Sequence, residues 1–416
     1  MMFKVQQVFL ALTRRIPVLT AFQYRNYRLY WSGMLVATMG AQILAVSLSW
    51  LVYDMTGSKL YLGVVGGAQG ITTIVFNLFG GVLADRVDRR RLILFTNFSF
   101  SFLILALAIA VATRIAQPWH LVVFASLFGM VTAFDTPSRQ ALIPDLIEER
   151  KHLMNAIALH SIIWQSSRVL GPMIAGILFA VVGLQSCFFV AAATYLAMVA
   201  AMVVVRPKGT MRKSGQSVRA AVVEGLKYVR RSAVISSIMG MVFLNSVFGI
   251  SFVYLMPIFA KDILKVSDSG FAYLMTAMGI GTLCGGILTA ASSKLKMKNF
   301  FLLGASILYG IFLISFSLSH SYVSSLILIG MVGFTQQIYM VTAQTLVQWL
   351  VSEEVRGRVM GIYSMVWSLS PVGSLQAAAV ANAYGAPVAV ALGGAVVAGF
   401  AIFLTFALPH LRKLEV

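Results

Sequence analysis

The sequence has few charged residues and very few acidic ones. Of its 416 residues, 11% are charged and 13 are Asp or Glu, whereas about a quarter of the residues in an ordinary soluble domain are charged. This composition excludes a soluble globular enzyme. The only two cysteines, Cys187 and Cys284, have no Cys or His partner at the spacing of metal ligands, so we expect both to be small packing residues in the core.

Motifs that bind nucleotides or metals are also missing. The sequence contains no P-loop, no glycine-rich dinucleotide fingerprint, no His-x-x-x-His pair and no cysteine cluster, so ATP-driven transport and metalloenzyme chemistry have no support. We expect no cofactor, no metal and no catalytic residue. The net charge of +19 comes from basic residues in short gaps between apolar runs, a distribution that does not fit a nucleic-acid partner.

Apolar residues make up 59% of the chain, and they are gathered into long runs. About 20 apolar residues are needed to cross a hydrocarbon core of roughly 30 Å. These runs are continuous and apolar on all sides, which favours helices over the alternating strands of a membrane barrel. The sequence predicts an all-α membrane protein with twelve transmembrane helices, at residues 30–53, 61–84, 92–112, 118–135, 156–182, 186–205, 233–260, 270–291, 299–319, 322–350, 359–382 and 386–408.

Lys and Arg residues are distributed unequally between the two sides of these predicted spans. With the N-terminus placed inside, 27 of the 32 fall in inner segments and 4 in outer segments. Positively charged loops stay in the cytoplasm. We therefore expect a multi-pass protein of the inner (plasma) membrane with both termini cytoplasmic. The remaining basic residue, Arg168, lies within the fifth run.

The only long polar stretch, residues 206–232, divides the chain into six predicted spans on each side. Its basic residues predict an amphipathic helix that lies on an anionic inner leaflet. We therefore expect an interfacial N-terminal segment (1–29), a six-helix bundle (30–205), this cytoplasmic linker (206–232), a second six-helix bundle (233–408) and a cytoplasmic tail (409–416).

The two halves of the chain resemble each other. Residues 80–83 read Gly-Gly-Val-Leu, and residues 285–288, which lie 205 positions later, read Gly-Gly-Ile-Leu. The Glu-Glu pairs at 148–149 and 353–354 are separated by the same offset of 205. Two similarities at one offset predict a duplicated unit, and therefore two pseudo-symmetric bundles.

A cluster of charged residues follows the second predicted span. Residues 81–91 read Gly-Val-Leu-Ala-Asp-Arg-Val-Asp-Arg-Arg-Arg. This segment resembles the signature G-x-x-x-D-R-x-G-R-R of the major facilitator superfamily, although Asp88 stands where the signature has its second glycine. The residues that agree with it are Gly81, Asp85, Arg86, Arg89 and Arg90.

The resemblance implies the major facilitator fold and a conformational latch at the cytoplasmic side. In this latch Asp85 accepts from the N-terminus of a helix in the other half, where the helix dipole favours a negative charge. We expect Arg89 to pair with Asp135 at the inner end of the fourth span. The alternative is that the arginines serve only to fix the topology.

Two further segments are similar to exporters of that superfamily. Residues 135–146, followed by Asn155-Ala156, resemble the branch that contains bacterial enterobactin exporters and related transmembrane secretion effectors. Gly171, Pro172 and Gly176 in the fifth run are similar to the Gly-Pro motif of exporter-type facilitators. The similarity implies a hinge at the interface of the halves; the alternative is ordinary packing of small residues.

Polar side chains within the apolar runs are the candidates for substrate binding. A charge inside a membrane is costly and faces a cavity or a partner. We therefore expect Arg168 to bind an anionic group, or else to form a structural tie to carbonyl groups or Gln165. Spans 1, 4, 7 and 10 line the cavity in the major facilitator fold, and the candidates there are Gln42, Asn245, Tyr254, Gln337, Gln344 and Gln348. For each amide, a hydrogen bond between helices is the alternative.

Together these features predict a monomeric secondary transporter that exports small organic molecules by alternating access. The expected substrates are siderophore-like, drug-like or otherwise lipophilic or anionic. Proton antiport follows only from the family analogy, because we expect no carboxylate near the midpoint of any span. The alternatives are an importer or lipid flippase of the same fold, and a membrane sensor or assembly factor that does not transport.

Overall fold

The computed structural model describes residues 17–206, 218–292, 298–367 and 369–407, apart from a few side chains within helices that include Asp85. The described residues are almost entirely helical. In chain order the helices are α1 (Arg25–Thr56), α2 (Lys59–Arg86), α3 (Arg89–Ala112), α4 (Pro118–Leu142), α5 (Leu153–Val181), α6 (Leu184–Val204), α7 (Val218–Arg231), α8 (Ala233–Leu244), α9 (Asp268–Ala291), α10 (Lys298–Ser317), α11 (Tyr322–Leu350), α12 (Glu353–Trp367), α13 (Ser370–Tyr384) and α14 (Ala386–Ala407).

One span is irregular. After α8 the chain continues as a π turn (Asn245–Gly249), a 3-10 segment (Ile250–Leu255), a single α turn (Met256–Ile258) and a second π turn (Phe259–Ile263). We call the whole of 233–263 the composite span. Turns of this kind re-aim side chains within a helix and are frequent at functional sites.

Ten helices in the described part of the chain are long and apolar enough to cross a membrane, which agrees with the predicted all-α membrane fold. The predicted count of twelve is not fully confirmed. The ninth predicted span corresponds to a shorter apolar helix, Phe301–Ser317. The eleventh is divided into α12 and α13, which have 15 residues each.

The repeat predicted from the sequence is visible in the packing of the helices. A Cβ atom added at Gly80 in α2 would overlap a carbonyl oxygen of α4, and one added at Gly285 in α9 would overlap a carbonyl oxygen of α11. Gly129 of α4 and Gly333 of α11 make the reciprocal close approaches. Equivalent glycines therefore allow equivalent helix crossings in both halves, as small residues do in membranes.

The two halves are held together at one end of the spans. The Tyr53 hydroxyl at the end of α1 donates to the Asp262 carboxylate of the composite span, and the Trp50 ring stacks on Phe271 with 5.1 Å between centroids. The Ser374 hydroxyl of α13 donates to a carbonyl of α2 over 3.2 Å. We call this the closed end.

The opposite end carries the linker. Asn26, at the start of α1, donates to the Arg206 carbonyl over 2.8 Å, which places the beginning of the linker there. A Cβ atom at Gly81 of α2, or at Gly357 or Gly361 of α12, would meet no atom within 4 Å. These helix faces therefore border open space at what we call the linker end.

The linker contains helix α7, which packs on the second half of the chain. Glu224 forms an ion pair with Arg358 of α12, and the Tyr228 hydroxyl accepts from the backbone of residue 352 over 3.4 Å. Val223 and Leu226 remain exposed. Whether this helix also contacts lipid stays a prediction.

Two expectations are wrong. Cys284 is exposed on α9, while Cys187 is buried as expected. Helix α4 continues to Leu142, seven residues beyond the predicted end of the fourth span, so Arg139 lies inside a helix and not in a loop. The prediction counted Arg139 with the inner loop because the apolar run ends at residue 135.

We expect Asp262→Asn to weaken the closed end, because a charged acceptor for the Tyr53 hydroxyl becomes a neutral one. Asp262 is exposed, so the loss is about 1 kcal/mol, or roughly fivefold in the ratio of closed to open molecules. Spin labels on cysteines that replace Leu60 and Tyr384, in a background without Cys187 and Cys284, would measure the separation of α2 and α13.

The matched control is Asp268→Asn, which removes the same charge from the start of α9. An unchanged distance distribution in Asp262→Asn, or an equal change in the control, would contradict a role of this hydrogen bond in holding the closed end.

Candidate functional site

A central cavity of about 320 Å³ lies between the two halves, next to the closed end. Helices α1, α2 and α5 form its wall on one side; the composite span, α9, α11 and α13 form the other. Methionine and small aliphatic residues make up most of the surface. The polar lining residues are Gln42, Ser49, Gln69, Arg168, Tyr254, Thr282, Gln336 and Ser370.

Arg168 is the one charged residue among the described residues that line this cavity. No described residue forms a hydrogen bond or an ion pair with its guanidinium, and Gln165 is not among the lining residues. A guanidinium inside a membrane faces a cavity or a partner. The arrangement leaves its donors available to a molecule in the cavity.

The backbone at Arg168 is fixed by a proline and a glycine. Pro172 has no N–H, so the carbonyl of Arg168 four residues earlier lacks its usual helical partner. Gly279 of α9 approaches that carbonyl so closely that a Cβ atom would overlap it. Helix α5 continues unbroken through Pro172, and the freed carbonyl lies at the crossing of the two halves.

The predicted hinge residues occupy three different surroundings. Gly171 lets α5 approach α1, because a Cβ atom there would overlap the side chain of Gln42. Pro172 lines the central cavity. A Cβ atom at Gly176 would lie 3.0 Å from the Ala272 methyl group of α9. The two glycines therefore lie at helix contacts and Pro172 at the cavity, and the role of all three as a hinge stays a prediction.

The other binding candidates divide into two groups. Gln42 and Tyr254 line the central cavity with Arg168, whereas Asn245, Gln337, Gln344 and Gln348 are not among its lining residues. Asn245 and Gln337 are buried, and Gln344 is exposed.

Gln336, which the sequence analysis did not select, lines the cavity in place of Gln337. One residue rotates a side chain by about 100° around a helix, so Gln337 lies against Gly285 and Gly286 of α9. The spacing of Gln337, Gln344 and Gln348 placed their side chains on one face of α11. It contained no information on whether that face is turned toward the cavity or toward another helix. Gln69 of α2 was missed as well, because the prediction did not consider α2.

The predicted latch has different partners from those expected. Arg89 bonds to the Asp145 carboxylate over 2.7 Å and to the Ala141 carbonyl over 3.1 Å, so the expected Arg89–Asp135 pair is wrong. Asp135 lies within α4, whereas Asp145 lies in the 3-10 turn that follows it (Ile143–Leu146), and Asp135 pairs with Arg139.

The remaining latch residues show contacts within the first half. Arg90 donates to the carbonyls of Met202 and Val203 over 2.9 and 2.6 Å, while Arg86 is exposed. The side chain of Asp85 lies outside the described residues. The arrangement fits a latch that is released, with Gly81 bordering open space, and the latch itself stays a prediction.

A second cavity of about 280 Å³, which we call the N-half chamber, lies between α1 and α4. It shares Ala45, Leu48 and Gln69 with the central cavity, so the two cavities adjoin each other at these side chains. The part of α1 from Met34 to Leu48 lines the chamber, whereas the part from Gln42 to Val52 lines the central cavity. The chamber therefore lies nearer the start of α1, at the linker end.

Asp135 and Arg139 form an ion pair at the edge of this chamber, one helical turn apart. They are 6% and 7% exposed. Thr96 and Asn97 of α3 donate to the carboxylate over 2.7 and 3.2 Å, and Asn97 accepts from Arg139 over 2.9 Å. The charges therefore compensate each other. The spacing i, i+4 was the signal that could have predicted this pair.

A family model described as transmembrane secretion effector matches residues 17–416, which is nearly the whole chain. The chain belongs to this family of major facilitator transporters. As a major facilitator transporter it is a multi-pass membrane protein that moves a small molecule and is not an enzyme.

Several characterised transporters are similar to the chain over most of their length. The staphyloferrin A transporter of Staphylococcus aureus is 27% identical, over 86% of this chain and 89% of that protein. The multidrug efflux pump Tap of Mycolicibacterium fortuitum is 24% identical, over 92% and 95%. Macrolide efflux protein A of Streptococcus pyogenes is 22% identical, over 94% and 99%.

Solved structures of other transporters share the major facilitator fold of this chain. A bacterial homologue of the human lysosomal transporter Spinster, in an inward-facing and occupied conformation, has a TM-score of 0.70 with 16% identity and covers 94% of this chain and 97% of that one. A point mutant of the nucleoside transporter NupG has a TM-score of 0.66 with 14% identity, covering 92% and 99%.

We expect Asp135→Asn to destabilise this major facilitator transporter strongly, because Arg139 is left as a buried charge without a counter-ion. Breaking a buried pair from one side costs about 3–5 kcal/mol, while replacing both partners by apolar residues is often neutral. The double variant Asp135→Leu/Arg139→Met should therefore unfold near the wild-type midpoint. Unfolding in a titration with SDS would measure both.

Asp145→Asn serves as the control, since its partner Arg89 is more exposed; we expect a loss of about 1 kcal/mol or less. Equal losses for the two single variants would show that the buried pair has no special weight in stability.

Proposed function

We propose that this transporter exports small organic molecules that carry an acidic group. The observation that supports the proposal is the guanidinium of Arg168, which faces the central cavity without a described partner and without a lining carboxylate. A planar guanidinium binds a carboxylate with two parallel hydrogen bonds. The relatives named as efflux proteins support export of organic molecules, and the staphyloferrin A transporter supports a siderophore-like class.

The rest of the central cavity suits a molecule with both polar and lipophilic parts. Gln42, Gln69, Gln336 and Tyr254 offer donors and acceptors around Arg168. Met275 and Met278 add polarisable surface that adapts to different shapes. Of the predicted binding residues we therefore retain Arg168, Gln42 and Tyr254 for this state of the transporter.

We place both termini and the linker end in the cytoplasm, because 26 of the 32 basic residues lie in the segments assigned to that side even when Arg139 is left out. The closed end then faces outward, and substrate enters the central cavity from the cytoplasm. Release requires the halves to rock about the cavity, which separates the closed end and brings the linker end together. In that second state the segment from Gly81 to Arg90 acts as the latch.

Proton antiport is the energy source that we propose, in a monomer of the plasma membrane. Asp135 supports it, because it is a buried carboxylate inside α4 that lines the N-half chamber, seven residues before the end of the helix. Transport that continues in proteoliposomes after the proton gradient is dissipated would contradict this part of the proposal.

Measurements of flux in vesicles also test the two alternative functions. Inverted vesicles separate export from import or lipid flipping, because export from the cell appears as ATP-independent uptake. A sensor or assembly factor that does not transport would show no saturable flux of any organic acid in either direction.

We expect Arg168→Leu to insert and fold, since it removes a costly charge from the membrane, and yet to lose transport. A hydrogen bond to a charged group contributes about 1.5–3 kcal/mol, so transport of an organic acid should fall on the order of ten- to a hundredfold. Arg168→Lys should restore part of it, because the charge returns without the planar fork. Flux and thermal stability are measured on the same preparations.

The matched control is Arg91→Leu, which removes one positive charge from an exposed position at the start of α3. Full flux in Arg168→Leu would remove this residue from the binding site. A failure of that variant to fold would identify it as a structural tie.

A further inference from the structure

The side chains that line the N-half chamber differ in chemistry from those of the central cavity beside it. One part of its wall is a cluster of aromatic rings: the Phe100 ring lies 4.6 Å from the Phe128 ring and 4.9 Å from the Tyr195 ring, and the Phe124 ring lies 5.7 Å from the Phe128 ring. Trp164 of α5 also lines it. Clustered rings of this kind bind flat apolar groups through edge-to-face and offset contacts.

The charge balance of the two voids is also different. The described lining of the central cavity carries the single positive charge of Arg168 and no carboxylate. In the chamber, the charge of Arg139 is compensated by Asp135, and both groups are held by hydrogen bonds from α3. The chamber is therefore a neutral aromatic environment beside a cationic one.

The two cavities adjoin each other at three shared residues. Ala45, Leu48 and Gln69 line both. The two linings extend along α1 from Met34 to Val52, a distance of about 27 Å at 1.5 Å per residue. An elongated molecule that passes these three side chains would therefore contact both compartments.

We infer that the N-half chamber is a second binding compartment that takes the aromatic or apolar part of a substrate whose acidic group lies at Arg168. The substrate class is then an elongated amphiphilic organic acid with an aromatic end. This inference rests on the proposed function, because it uses the anion site at Arg168. It adds a determinant of specificity that is independent of the charge.

The test uses three probes on the full chain in lipid nanodiscs, with empty nanodiscs as the blank: hexanoate, 6-(2-naphthyl)hexanoate and the neutral amide of the naphthyl acid. Calorimetry gives the dissociation constant of each. We expect the naphthyl acid to bind at least about tenfold more tightly than hexanoate, because burial of the rings adds apolar contact. The amide should bind more weakly than its acid.

Ala41→Phe is the deciding variant, because Ala41 lines the chamber and is not among the lining residues of the central cavity. A ring placed there should remove the advantage of the naphthyl acid and leave the affinity for hexanoate unchanged. The control is Val36→Phe, an equal gain of bulk at an exposed position of the same helix. If Ala41→Phe does not fold, Phe128→Leu is compared with the wild-type protein in the same way. We then expect a severalfold loss of affinity for the naphthyl acid and no loss for hexanoate.

The outcomes separate the two proposals. An advantage of the naphthyl acid that survives Ala41→Phe or Phe128→Leu, or that is lost equally in Val36→Phe, overturns the second compartment. Equal affinity of wild-type protein for the two acids overturns it as well, while the anion site stands. If wild-type protein binds neither acid, the proposed function is wrong and this inference fails with it.

Discussion

A chain that spans a membrane must satisfy its backbone carbonyls within the protein, since no water is present in the hydrocarbon core. Prolines inside helices make this constraint visible, because each removes the N–H that would bond the carbonyl four residues earlier. In this transporter the freed carbonyls lie where another helix comes close. Gly80 covers the carbonyl freed by Pro137, and Gly279 covers the one freed by Pro172. Weak Cα–H···O contacts of this kind recur at helix interfaces.

The same constraint gives different results for two arginines that lie within the helices α4 and α5. Arg139 is buried and forms an ion pair with Asp135 of the same helix, so its charge is neutralised within the first half. Arg168 lies at the interface of the halves, where the proline of its own helix and the glycine of α9 fix its backbone. Its guanidinium has no described counter-ion. A charge that faces a cavity without a counter-ion is what the anion site that we propose at Arg168 requires.

The sequence predicted the features that depend on composition and on repeated patterns. Membrane helices, the division into halves and the duplicated Gly-Gly motif all follow from apolar runs and from an offset of 205 residues, and the crossings at Gly80 and Gly285 have the expected equivalence. The site was harder to predict, because it depends on the rotation of each helix about its own axis. Gln336 and Gln337 differ by one position, and only the first lines the central cavity.

The count of basic residues in loops failed at one residue, Arg139, for a different reason. It treats each Lys or Arg outside an apolar run as a marker of topology, so Arg139 was assigned to a loop and its buried ion pair with Asp135 was missed. The pair also shows how the duplicated halves have diverged. At the offset of 205, Asp135 and Arg139 correspond to Met340 and Gln344, whereas the crossing glycines are present in both halves. The close helix crossings are thus common to both halves, because each bundle packs its helices through them. The charged side chains that line the two cavities lie in the first half among the described residues, and the second half lines the central cavity with uncharged side chains such as Met275, Met278 and Gln336.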